Sequence, residues 1–268
     1  CFKNASLSGP SRSRSSASAE STSSGVIDCS LFCTSASILA PASINAGAAG
    51  RIFDVIEKNF QIRCDRSQVW PNPVTIEPPL TTTYYPSIEE ESVHWSVLAE
   101  LDIHRKAQDL LIEVLSAPKW KKRNWVLHLY GRGKDEQRLR QLIDQHQLEH
   151  QVILEGFQKD IPRILQQTHM LIQCTRIDAM PLSVVEAMAM SRPCLVSNVG
   201  DMPAWIENGN NGWVIDNIST ETLDRTLEQC WTDRNKWEQM GVKAFEKFRE
   251  KYPIPYEEEL FSRLRSIS

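Results

Sequence analysis

From residue 93 onward, short apolar runs alternate with longer stretches whose apolar residues recur at helical spacing. The apolar runs predict strands over 95–101 (WSVLAEL), 124–130 (NWVLHLY), 151–154 (QVIL), 170–174 (MLIQC), 193–197 (PCLVS) and 212–215. The periodic stretches predict helices over 106–115, 136–146, 160–167, 181–190, 202–208, 220–231, 234–251 and 255–264. In the first of these, Leu110, Leu111, Val114 and Leu115 share one face. Asp160 stands where an N-cap belongs, with Pro162 in the first turn after it. Strands that are apolar almost throughout and alternate with helices imply a parallel sheet covered on both faces. Right-handed crossovers then make an α/β, doubly wound, Rossmann-like sheet, whose ligand crevice lies at the carboxyl ends of the strands.

The first 50 residues have a different texture. Ten serines fall in the first 24 positions, an Ala/Ser/Gly-rich stretch runs on to Gly50, and neither carries a clear period. Residues 1–50 are therefore expected to be low-complexity and disordered. A stretch foreign to the fold, such as a fragment or a shifted reading frame, is the other reading. Two arginines among the serines are too few to argue for RNA binding. Residues 51–91 read as a remnant of an N-terminal domain plus a linker. Prolines at 71, 73, 78 and 79 stiffen it, and 80–91 form a polar loop. The main domain is then 92–252, followed by a C-terminal helix over 253–268.

A net charge of −4 gives no electrostatic footprint for nucleic acid, and no apolar run is long enough to span a bilayer. The expected place is the cytoplasm, or the inner face of the membrane through peripheral association. Seven cysteines, with only one close pair (Cys29 and Cys33) and no histidine near it, read as free thiols rather than a metal site. The six histidines show no ligand spacing, so no metal is expected. The run Lys119, Lys121, Lys122, Arg123 reads as a solvated loop, and Trp120, Trp125, Trp205, Trp213, Trp231 and Trp237 as packing residues.

Five ordered blocks carry the chemistry. They are Ala99-Glu100-Leu101 with Lys106-Ala107-Gln108-Asp109-Leu110-Leu111, then Gly131-Arg132-Gly133, and then Gly156-Phe157. The fourth runs Asp178-Ala179-Met180-Pro181-Leu182-Ser183-Val184-Val185-Glu186-Ala187-Met188-Ala189-Met190-Ser191-Arg192-Pro193, and Val199-Gly200-Asp201-Met202-Pro203 closes the set. Together, residues 98–214 resemble the C-terminal, donor-binding domain of the group 1, or family 4, glycosyltransferases of the GT-B fold. The resemblance implies a retaining transfer of a hexose from a nucleoside-diphosphate sugar to a hydroxyl on a carbohydrate or lipid-linked acceptor, as in cell-envelope polysaccharide assembly. It implies no metal and no other cofactor.

It also implies roles. Lys106 matches the lysine that holds the diphosphate as it leaves, where a cation accelerates the chemical step. A solvated helix-start lysine is the plainer reading. Gly131 and Gly133 let backbone amides approach the ligand, or simply make a tight turn. Gly156, Phe157 and Asp160 sit where the family places the base, although Phe157 reads equally as core. Asp178 matches the carboxylate at the hexose, and Glu186 the one that takes the ribose hydroxyls. A capping aspartate and a surface glutamate are the alternatives. Between them, the N–H groups of Ala179, Met180 and Leu182 are expected to face an anion at a helix N-terminus.

Several positions depart from the family pattern. Glu100 stands where an arginine helps bind the diphosphate, so it must turn away or be offset by Arg105 or Arg132. Asp178 is one methylene shorter than the family glutamate, about 1.5 Å of reach. Ala179, Ser191 and Ala204 replace a glycine, a glycine and a glutamate. A non-catalytic nucleotide-sugar-binding module and a GT-B nucleotide-sugar epimerase are the competing readings.

Overall fold

The structure, a computed structural model, describes residues 46–47, 58–59, 68–88 and 92–265. The expectations for residues 1–45, and for Cys1, Cys29, Cys33 and Cys64, lie outside the described residues. Six strands form the main sheet: β1 (Val93–Leu98), β2 (Trp125–Tyr130), β3 (Val152–Gly156), β4 (Met170–Gln173), β5 (Cys194–Ser197) and β6 (Gly212–Ile215). Their order is β3-β2-β1-β4-β5-β6 and every neighbouring pair is parallel, which makes the predicted doubly wound α/β sheet. The winding reverses between β1 and β4, so the carboxyl ends of those two strands frame the ligand crevice. Ala46–Gly47 and Gln68–Val69 pair separately as a short parallel ladder.

Ten helices are described: α1 (Ile103–Lys106), α2 (Gln108–Leu115), α3 (Pro118–Lys121), α4 (Glu136–Gln145), α5 (Ile161–Gln166), α6 (Leu182–Ala189), α7 (Met202–Trp205), α8 (Thr220–Thr232), α9 (Trp237–Lys251) and α10 (Tyr256–Arg265). Strand alternation divides the core into two layers. Trp95, Trp125, Leu127, Ile172 and Trp213 pack with residues of α2, α3, α4 and α8, while Leu171, Cys194 and Val196 pack with α6, α7 and α9. Cys174, Cys194 and Cys230 are buried free thiols, as expected.

Four expectations change. The helix anticipated over 106–115 is two helices. Asp102 caps α1 by accepting the Arg105 N–H (3.3 Å), and Ala107 then takes a left-handed conformation (φ 51°) before α2 begins. Lys106 thus ends a helical turn, where free carbonyls favour a cation, instead of beginning one. The basic run is not a solvated loop. Lys119 and Lys121 lie in α3, Lys122 and Arg123 follow it, and two of the four staple it to α8: Lys119 pairs with Asp224 (2.7 Å), and Arg123 grips Glu228 with both terminal nitrogens. The Arg123 guanidinium also lies 4.2 Å from the Trp120 ring centre and 5.2 Å from that of Trp231.

Residues 70–88 are more than a linker and a polar loop. Ile76 is buried against α6 and its neighbours, Thr83 donates its hydroxyl to the Met190 carbonyl (2.5 Å), and Tyr85 donates to the His169 carbonyl (2.7 Å). The fourth change concerns β1 to β3, which are not apolar throughout. On the face away from the tryptophans, His94 Nδ1 bonds His128 Nε2 (2.9 Å), His128 Nδ1 bonds Glu155 (2.7 Å), and the His94 N–H donates to His169 Nδ1 (2.9 Å). The histidines lack ligand spacing in sequence because parallel register brings them together across strands. Among the described residues, no group of three or more His, Cys, Asp or Glu is placed to hold a metal ion.

Burial lowers the affinity of His169 for a proton. Its folded value lies below the ordinary 6.5, so the unfolded chain takes up the proton first as pH falls. The contribution of His169 to stability is therefore complete above about pH 6.5 and declines as pH drops from there toward the folded value. Thermal melts from pH 8 to 5 should show this decline, and His169→Gln should flatten it. An unchanged slope in the variant would mean that His169 is not its source.

Candidate functional site

A cleft of about 750 Å³ opens at the carboxyl edge of the sheet, above the β1–β4 switch point. Leu98, Ala99 and Glu100 line it from the end of β1, Tyr130, Gly131 and Arg132 from the end of β2, and Phe157 to Lys159 from the loop after β3. Gln173 and Asp178 enter from β4 and the loop beyond it, and Met180 to Ser183 and Glu186 from the start of α6. Thr75 closes one side. The strands end where their loops turn polar, so the sheet delivers these groups to a single rim.

Three of the charged side chains that line this cleft, Lys106, Asp178 and Glu186, are largely buried. Lys106 Nζ donates to Asp178 Oδ2 at 2.5 Å, and the two side chains are only 11% and 14% exposed. Asp178 Oδ1 accepts the Ala179 N–H at 2.9 Å, so the carboxylate is fixed from both sides. Lys106 spans 72 positions to reach Asp178, which places the end of α1 against the loop between β4 and α6. The Arg105 carbonyl accepts from both the Arg176 N–H (2.7 Å) and the Thr175 hydroxyl (2.8 Å), fastening the same two segments. Glu186, on the second turn of α6, is 4% exposed, and its Oε1 accepts the Thr75 N–H (2.8 Å) and the Thr75 hydroxyl (2.6 Å).

The glycines do different work. Gly131 has φ 146°, and a Cβ there would lie 1.9 Å from the Ala99 carbonyl oxygen. It therefore admits the β1 end-loop and lines the cleft at once. Gly133 does not line the cleft; a Cβ there would lie 2.3 Å from the Leu101 carbonyl oxygen, which makes it a packing glycine. Gly156 ends β3 with φ 69° and open space around it. Phe157 is 54% exposed at the cleft mouth, with the Arg132 guanidinium 5.9 Å from its ring centre, so it is not a core residue.

Other expectations move. The carboxylate of Asp160 caps α5 by accepting the Arg163 N–H (3.1 Å), and Asp160 does not line the cleft. The Ala179 N–H is not left for a ligand anion, because the Asp178 carboxylate takes it; α6 begins only at Leu182, after Pro181 at the cap position. Met180 and Leu182 do line the cleft. Glu100 has not turned away: it lines the cleft and is paired with Arg105 (3.2 Å), so Arg105 offsets that carboxylate from outside the cleft wall. Arg132 is left as the guanidinium on the rim.

The sequence reading missed Gln173 and Thr75. Gln173 is buried at the end of β4, a polar residue inside an apolar run, and that break in pattern was the available signal. Thr75 carried none. Among the described residues, no helix is long and apolar enough to cross a membrane.

Comparison with known proteins gives a consistent outcome. The model of the family "Glycosyl transferases group 1" matches residues 97–247. The poly(ribitol-phosphate) alpha-N-acetylglucosaminyltransferase of Staphylococcus aureus is 28% identical over 148 residues, covering 55% of this chain and 30% of that protein. The poly(glycerol-phosphate) alpha-glucosyltransferase of Bacillus subtilis is 25% identical over 189 residues, covering 68% of this chain and 27% of the other. The chain thus spans less than a third of the length of either relative. Among solved structures, S. aureus TarM in complex with fondaparinux, alpha-GlcNAc-glycerol and UDP superposes with a TM-score of 0.68 at 21% identity, over 82% of this chain and 43% of that one. Anabaena HepE in complex with UDP does so with a TM-score of 0.68 at 17% identity, over 84% and 64%. At these identities the structures share the fold.

Proposed function

The chain belongs to the group 1 glycosyl transferases, and on that premise we propose that it is the donor half of a retaining hexosyltransferase that uses a nucleoside-diphosphate sugar, with UDP as the nucleotide. The observation that carries this reading is the convergence of Lys106, Asp178 and Glu186 on one cleft at the switch point. The UDP-bound neighbours of the same fold support the choice of nucleotide.

In this reading Glu186 takes the ribose hydroxyls and Phe157 with Arg132 flanks the base. Met180 and Leu182 border the phosphates, and Lys106 meets the charge that builds on the diphosphate. The bond from the anomeric carbon to the β-phosphate oxygen breaks, and its electron pair leaves with the nucleoside diphosphate. An acceptor hydroxyl forms the new bond on the same face of the sugar. Its proton passes to the departing phosphate oxygen, the nearest base on that face. An ammonium with hydrogens to spare beyond its Asp178 contact stabilises the leaving group more than the bound donor, as rate acceleration requires. Lys106 supplies the countercharge, so the reaction calls for no metal. The acceptor is a carbohydrate or lipid-linked hydroxyl brought by a partner domain, and the setting is the cytoplasm at the inner face of the envelope.

The test is binding and slow turnover. UDP at about 100 times its dissociation constant should stabilise the chain by about 2.7 kcal/mol. A donor screen should then reveal one UDP-hexose that is hydrolysed or transferred, with NMR showing the α-configured donor giving an α-configured product. Binding without turnover by the chain joined to an acceptor domain would favour the non-catalytic module. Absence of binding to any nucleotide sugar would end both readings.

A further inference from the structure

Glu186 is nearly buried, yet its two oxygens have unlike surroundings. Oε1 is occupied twice, by the Thr75 N–H at 2.8 Å and the Thr75 hydroxyl at 2.6 Å. Oε2 accepts no hydrogen bond from any described residue, and it is not among the buried atoms left without a partner. It therefore keeps access to the cleft that Glu186 lines. A carboxylate on a three-bond stem ordinarily samples several rotamers. Here two charge-assisted bonds to one oxygen fix the rotamer and the plane of the group, leaving the other oxygen free.

Thr75 is itself held from behind. The Tyr252 hydroxyl accepts the Val74 N–H (2.9 Å), the Tyr256 hydroxyl donates to the Pro71 carbonyl (2.9 Å), and Ile76 is buried in the α6 core layer. The segment that precedes the domain and the helices that end it thus meet beside Glu186. No local pattern in the sequence announces this, because Thr75 and Glu186 are 111 positions apart.

We propose that Thr75 is a positioning residue for donor recognition: it pins Oε1 of Glu186 so that Oε2 is presented, pre-aimed, to the ribose diol of the nucleotide. This rests on the donor reading above and adds a residue from outside the matched family region, which begins at residue 97. Pre-aiming acts on binding of the diol and on nothing else in the ligand. The effect should therefore vanish when the ligand has no ribose hydroxyls.

The experiment measures affinities of the full chain for UDP and for 2′,3′-dideoxy-UDP by calorimetry, in the parent and in Thr75→Val and Thr75→Ser. The parent should prefer UDP. Thr75→Val, near in shape but without the hydroxyl, should lose about tenfold in UDP affinity, the scale of one hydrogen bond to a charged group. It should bind the dideoxy analogue as the parent does, and Thr75→Ser should bind UDP within about threefold of the parent. Equal losses for both ligands in Thr75→Val would overturn the proposal in favour of a general packing role. So would an unchanged UDP preference in Thr75→Val while Glu186→Gln abolishes it. A parent that binds neither ligand brings down the donor reading itself, and a parent that binds both equally removes the diol contact on which Thr75 acts. Thermal melts of both variants identify any loss that comes from misfolding.

Discussion

Replacing Lys106 by alanine is expected to lower the turnover of the proposed transfer by a factor of about 10²–10³, the range seen when one preorganised donor to a developing negative charge is removed. The expectation follows from where the charge sits. The ammonium is mostly excluded from water and already oriented by Asp178, so little reorganisation is needed as the diphosphate gains charge. Because that charge is greater in the transition state than in the bound donor, the loss should fall mainly on kcat, with affinity for the free nucleoside diphosphate changing less. Lys106→Arg should not restore the rate, since a planar guanidinium cannot keep the 2.5 Å point contact with Asp178 and present the same charge to the cleft. Single-turnover kinetics at saturating donor separates the two parameters. A Lys106→Ala enzyme with kcat within about threefold of the parent would remove Lys106 from the chemistry.

The same pair shows what an unmatched position can mean. Asp178 is shorter than the glutamate expected from the family pattern, and in the structure it sits on Lys106 with its other oxygen on the Ala179 amide. A carboxylate so committed acts on the sugar only through a rearrangement, or serves the lysine. Glu100 follows a related logic: a carboxylate where the pattern has an arginine is tolerated because Arg105, five positions on, is paired with it.

Much of the fold could be read along the chain because its periodicities are local. All six strands of the main sheet appear within a few residues of the predicted runs, and Asp160 caps α5 as its position suggested. What could not be read is instructive. The break at Ala107 is made by an alanine in a conformation usually marked by glycine, so no punctuation showed it. Helix α3 is only four residues long, with lysine at two of them, and its order comes from Asp224 and Glu228, 105 positions beyond Lys119 and Arg123. The triad of His94, His128 and His169 exists only through parallel register. Lys106, Gly131, Phe157, Asp178 and Glu186, all from blocks with a fixed motif, meet at one rim of the cleft. Gly133 and Ala179 belong to the same blocks, yet Gly133 serves packing and the Ala179 amide holds Asp178. A motif fixes neighbourhood; backbone hydrogen bonding decides which member faces the ligand.

Arg192 leads to the second large effect. It occupies a variable position of the motif between Ser191 and Pro193, yet it is 0% exposed. Its guanidinium donates to the carbonyls of Leu165 (2.6 Å), Ser191 (3.1 Å) and Tyr84 (2.5 Å), and lies 5.2 Å from the Tyr85 ring centre. Burial lowers its pKa to about 10, so it remains charged at neutral pH, surrounded by neutral carbonyl dipoles and the face of the Tyr85 ring. Those carbonyls come from the end of α5, the turn after α6 and the 70–88 strap, so one side chain joins three segments otherwise distant in sequence. Two opposing terms decide the outcome of Arg192→Met. Removing a buried charge recovers a desolvation cost of several kcal/mol. Against this, the charge-assisted bonds are lost at about 1.5–3 kcal/mol each, and the buried Ser191 carbonyl is left without its side-chain donor in a dry interior that methionine cannot satisfy, while the Tyr84 carbonyl, on an exposed residue, loses its tie to the core. Three such bonds outweigh the recovery, and a net loss of about 3 kcal/mol is expected, or roughly 10 °C in Tm for a domain of this size. Thermal melts read the total, and limited proteolysis reads its location: cleavage should rise first within residues 80–88, where the Tyr84 anchor is released. Arg192→Lys, with three donors on a flexible stem, should recover only part of the loss. If Arg192→Met melts with the parent, the carbonyls have found other donors and the strap is held by Thr83 and Tyr85 alone.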